Sequence, residues 1–157
     1  MKKATRFFAS VLMAAMMLAM FTSCKKTPSD TVAFIALAEK YHYKVHDVTE
    51  QYINAPQIRS GTLAAPEDRA FQIEFYIITD TESAKELFQA QSKEMDGAKG
   101  TTWTGDISNG RNYAKNTIVT DGKYMMLCYV ENTMLYVPPT KKENKEAIEA
   151  FVDEFKY

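Results

Sequence analysis

The stretch NYAKNTIVTDGKYMMLCYVENTMLYVPP, residues 112–139, decides the fold. Asp121-Gly122 separates two runs rich in Val, Ile, Tyr and Met. Asp-Gly is the pair that a two-residue hairpin turn selects, because both central residues need positive φ. Glu131-Asn132 marks a second tight turn, and Pro138 and Pro139 are expected to end the strand that follows it. The stretch therefore reads as three antiparallel strands, over 112–120, 123–130 and 133–138. Two-residue loops also fix the register. Val119 faces Tyr124, Ile118 faces Met125, Tyr129 faces Met134, and Leu127 faces Tyr136. One side of this sheet then carries Val119, Met126, Cys128, Val130, Leu135 and Val137. The other carries Ile118, Met125, Leu127, Tyr129, Met134 and Tyr136. Both sides are apolar.

Working outward, residues 69–79 alternate strictly. Phe71, Ile73, Phe75 and Ile77 point one way and Gln72, Glu74 and Tyr76 the other, the pattern of a half-buried strand. Asp80 or Thr81 caps a helix running to about residue 95. Its stripe of Ala84, Leu87, Phe88, Gln91 and Met95 is broken only by Gln91. Earlier segments predict a helix over 30–41, with His42 placed where the chain must leave it, and strands over 43–49 and 57–64. Residues 96–110 hold four glycines among Thr and Ser and read as a loop. A last helix over 141–156 puts Ala147, Ile148, Phe151, Val152 and Phe155 on one face. The order is α-βββ-α-βββ-α. The expected fold is α+β, a two-layer single domain over 30–157 with helices on one face of an antiparallel sheet. In element order it is similar to the tandem helix–sheet layout of the β-lactamase inhibitor protein and of small envelope lipoproteins.

At the other end of the chain, Lys2, Lys3 and Arg6 precede an apolar run over 7–21, then Thr22, Ser23 and Cys24. A basic start, a short apolar run and small residues make a secretory signal. The run of 15 residues reaches ~22 Å as a helix, short of the ~30 Å hydrocarbon core. With the cysteine at the cut, residues 1–24 resemble the lipobox of bacterial lipoproteins. That resemblance implies a signal peptide over 1–23 and a diacylglycerol on the Cys24 sulfur, with palmitate-type chains. It also implies an extracytoplasmic domain held at the cell membrane. Residues 24–29 would be a short tether, and Lys25 and Lys26 would lie at the headgroups.

Of 19 Lys and Arg, three precede Cys24 and no Asp or Glu does, so 16 basic side chains face 20 acidic ones in the remainder. A net charge of that sign argues against nucleic acid as a partner, because phosphate binding needs a basic footprint. Once Cys24 is lipidated, Cys128 has no partner, so no disulfide framework and no cysteine metal site is expected. It reads as a small core hydrophobe. His42 and His46 lie four apart in a segment that alternates as a strand, too far apart there to share one metal. There is no His-Glu-x-x-His, no phosphate-binding glycine loop and no Gly-x-Ser-x-Gly.

The expected function is therefore a membrane-anchored envelope lipoprotein that binds a partner protein or small ligand without catalysis, needing no cofactor and no metal. The alternatives are an envelope hydrolase with an unrecognised carboxylate site, or a structural or assembly lipoprotein. The more aliphatic face of the sheet is assigned to the core. The other face is either covered by another element or open to a partner. Its residues Met125, Leu127, Tyr129, Met134 and Tyr136 form the candidate binding surface, with Trp103, the single tryptophan, as an added aromatic contact.

Overall fold

The computed structural model describes residues 25–157. Cys24 and the signal segment lie outside the described residues. In chain order the elements are α1 (Thr31–Lys40), β1 (Lys44–Asp47), a 3-10 turn (Thr49–Tyr52), β2 (Ile58–Ala65), β3 (Ile73–Ile78), α2 (Thr81–Gly97), β4 (Trp103–Asn109), β5 (Tyr113–Thr120), β6 (Lys123–Val130), β7 (Thr133–Lys141) and α3 (Lys145–Glu154). The strands form one antiparallel sheet in the order β1-β2-β3-β7-β6-β5-β4. Two meanders are thus joined along β3 and β7, where Glu74 pairs with Tyr136 and Tyr76 with Met134. The fold is α+β, as the pattern predicts.

Local chemistry accounts for the boundaries. Asp30 and Asp80 each accept a hydrogen bond at 2.8 Å from the amide three residues on, capping α1 and α2. His42 leaves α1 with φ +58°, and the amide of Tyr43 turns back to the carbonyl of Ala38. Asp121 and Gly122 both have positive φ, as the hairpin turn requires. The registers read from the two turns are the registers found, including Ile118 opposite Met125 and Leu127 opposite Tyr136.

Three expectations need correction. The supposed loop over 96–110 contains β4, an edge strand paired with β5 over its whole length. An edge strand takes its hydrogen bonds from one neighbour and buries little, so it needs no apolar alternation, and β4 is largely exposed. Gly105 fits there because a Cβ would come within 2.5 Å of the Thr117 carbonyl oxygen. Secondly, β7 does not stop at Pro138 but runs on to Lys141. The prolines fall where the β6–β7 register shifts, and a bulge tolerates residues without an N–H.

The third correction concerns the layers. The helices do not share one face of the sheet. Phe34 and Ala38 of α1 and Ile148, Phe151 and Val152 of α3 pack on Phe75, Met126, Cys128, Leu135 and Val137. The other face, with Ile118, Met125, Leu127, Tyr129 and Met134, is covered by Ala84, Phe88 and Met95 of α2. The result is three layers with the sheet in the middle, which is why β6 is apolar on both sides.

Cys128 lies in the α1/α3 core, and burial pushes its thiol pKa up to about 12. The thiolate is the reactive species. Cys128 should therefore resist an alkylating reagent in the native protein and react once the chain is unfolded. Rapid modification of the native protein would contradict its place in the core.

Candidate functional site

The face expected to be open is closed. Met125, Leu127, Tyr129 and Met134 are 2 %, 0 %, 9 % and 6 % exposed, and Tyr136 is half-buried. These residues do not form a flat binding surface, because α2 lies over them. Trp103 sits apart from them at the start of β4, 49 % exposed, with the Lys99 ammonium 3.6 Å from its ring centroid. It therefore belongs to the sheet edge and not to the same patch.

Part of this face is instead the wall of a cavity. Between α2 and the sheet lies a space of about 170 Å³. Leu127, Met134 and Tyr136 form its floor together with Glu74, Tyr76 and Ile78 of β3. Leu87 and Gln91 of α2 line it from above and Tyr52 and Ile58 line it at one end, and it stays partly open to solvent. The floor follows from the register. Leu127 pairs with Tyr136 and Tyr136 with Glu74, so all three side chains emerge on one face in adjacent strands.

The polar part of the cavity is a connected chain. The Tyr76 hydroxyl donates to Glu74 Oε2, and Gln72 Nε2 donates to Glu74 Oε1 at 2.6 Å. The Tyr52 and Tyr76 hydroxyls are 2.6 Å apart. A phenol carries one proton. With the Tyr76 hydrogen directed at Glu74, Tyr52 is the donor to Tyr76. The Tyr52 and Tyr76 rings meet edge to face at 5.1 Å. Gly61 lies opposite Tyr76 across the β2–β3 ladder, and a methyl there would press to 3.1 Å against the Tyr76 ring. Burial raises the Tyr76 pKa far above the ordinary tyrosine range, and its hydrogen bonds to Glu74 and Tyr52 add to the effect. The Tyr136 pKa is raised too, by burial first and then by the charge of Glu74. Both phenols are neutral donors at physiological pH.

Sequence reasoning takes Glu74 as a solvated surface carboxylate, whereas it is 8 % exposed, and nothing in the sequence marks Tyr52; two signals do point to the other polar groups. Gln91 is the one polar break in the α2 stripe. Glu74 and Tyr76, a polar row on β3, point at the face that α2 covers. A polar row and a polar break that meet across a buried layer mark a polar hole in it.

Among the described residues, no group of three His, Cys, Asp or Glu stands together to hold a metal, and no helix is long and apolar enough to cross a membrane. A second feature lies on the opposite face of the sheet. Asn112 grips the tether in both directions, accepting from the Lys26 amide at 3.1 Å and donating to the Lys26 carbonyl at 2.7 Å. Lys25 pairs with Glu131 at 3.3 Å, and the Lys26 ammonium lies 4.9 Å from the Tyr113 ring centroid. The chain is thus fastened to the β4–β5 and β6–β7 turns from its first described residues.

No family model matches this chain, and no curated protein matches it. Among solved structures, the chain is similar to a protein described as a GTP binding regulator from Thermotoga maritima. The two are 19 % identical, with a TM-score of 0.47, over 80 % of this chain and 83 % of that one. At this level the likeness says nothing of ligand or activity.

Proposed function

We propose that this protein is a lipid-anchored, extracytoplasmic binding domain that takes a small ligand into the cavity beneath α2. The observation that carries the binding reading is the cavity itself. It combines apolar walls with a few convergent polar groups, the usual composition of a small-molecule site. Binding is favoured over hydrolysis because Glu74 is the lone carboxylate among its lining residues. No histidine, serine or cysteine stands beside it to act as nucleophile or second acid–base group.

The anchor reading rests on the lipobox pattern ending at Cys24. The grip of Asn112 on Lys26, two residues later, is consistent with it. A lipid on Cys24 would hold the end of the sheet bearing Asn112 and Glu131 against the bilayer, with no stalk between. Metabolic labelling with a palmitate analogue tests this. The wild type should label and fractionate with membranes, and Cys24→Ser should do neither. Equal labelling of both proteins would remove the anchor from this reading.

A further inference from the structure

We infer that the ligand of the α2 cavity is a small organic cation, an ammonium carrying methyl or similar apolar substituents; this rests on reading the cavity as a binding site. Glu74 is 8 % exposed. No ion pair among the described residues includes it, and no Lys, Arg or His lines the cavity. A buried carboxylate without a counter-charge is costly. Tyr76 and Gln72 satisfy one hydrogen bond on each oxygen but supply no positive charge. Each oxygen keeps acceptor capacity beyond that one bond.

The remaining walls fit the same ligand. Tyr52, Tyr76 and Tyr136 line the cavity with Glu74, and aromatic rings attract cations. Ile58, Leu87, Leu127 and Met134 favour apolar substituents and give nothing to a hydrated ion. An anion would meet Glu74. The volume of about 170 Å³ is close to the ~150 Å³ that admits one benzene-sized molecule, so a single small ligand is accommodated. A carboxylate, aromatic rings and apolar walls at this size together select a methylated ammonium.

Calorimetric titration of the purified protein with choline and with dimethylbutanol, its uncharged carbon isostere, tests the inference. Choline should bind saturably and at least about tenfold more tightly than the isostere. Glu74→Gln keeps the size and an acceptor oxygen but not the charge, and should lose most of the preference for choline. Leu87→Trp, which fills the cavity from α2, should lose both ligands while melting as a folded protein, and serves if Glu74→Gln does not fold. If the wild type binds the isostere as tightly as choline, and Leu87→Trp abolishes both, the cavity is a binding site but the cation assignment is wrong. If neither ligand binds, both readings fall. Choline binding unchanged in both variants places the cation elsewhere and overturns the proposal.

Discussion

Leu127→Glu should destabilise this domain as severely as Leu135→Glu, although the two side chains lie on opposite faces of the sheet. Leu127 is fully buried beneath α2, between Asn116 on β5 and Tyr136 on β7. Leu135 is fully buried beneath α1 and α3. No Lys, Arg or His lines the cavity beside Leu127, and Leu135 lies in the apolar cluster beneath α1 and α3. An uncompensated buried charge costs about 3–5 kcal/mol, a large part of the ~5–15 kcal/mol that holds a domain folded. Thermal melts followed by circular dichroism should fall by at least about 10 °C for both variants. The sheet alone, seen from its sequence, allows the opposite result, in which Leu127 lies on a spare face and tolerates the charge. A melt of Leu127→Glu within ~2 °C of wild type would mean that α2 is not seated on this face, and the cavity would go with it.

Phe34→Ala should cost about 3–5 kcal/mol, the range for removing a buried aromatic ring. Phe34 is the point at which α1, α3 and the sheet meet. Its ring stacks on Phe75 at 5.2 Å and meets Phe151 and Phe155 edge-on at 5.7 and 5.5 Å. In α1 only Phe34 and Ala38 are fully buried, and Phe34 is the larger of the two anchors. Urea titration should give the loss in unfolding free energy, and amide exchange over residues 31–40 should accelerate more than elsewhere. Val32 on the same helix is 75 % exposed, and Val32→Ala should stay within ~0.5 kcal/mol. A Phe34→Ala loss below ~1 kcal/mol would show that α1 is not bound to the sheet through this ring.

The candidate site was legible in pieces. Leu127, Met134 and Tyr136 were visible as one row because a two-residue turn leaves a single register. Glu74 and Tyr76 were visible as a row on β3, but period two gives only the fact that they share a side. That the β3 row and the β7 row lie next to each other depends on β3 pairing with β7, strands more than 50 residues apart in the chain. No local signal encodes that pairing. The cavity exists only where those rows meet Leu87 and Gln91, so its residues could not be assembled before the pairing was known. Trp103, expected in a glycine-rich loop, instead begins the edge strand β4, which separates it from the sheet face.

The sequence by itself determined what short-range chemistry controls. Asp-Gly admits positive φ at both turn positions, and His42 tolerates it at the end of α1. Capping side chains at 29–31 and at 80–81 place the helix starts, the structure selecting Asp30 and Asp80, and side-chain alternation sets which residues share a face. Each of these is decided within a few residues. Only the tertiary structure decided what covers each face. The apolar content of β6 on both sides requires two covering layers, but any amphipathic helix satisfies that requirement equally well. Which helix goes where is fixed by the strand order and by the connections that reach each face. Those are long-range contacts, and their energy depends on the whole assembly and not on any one segment.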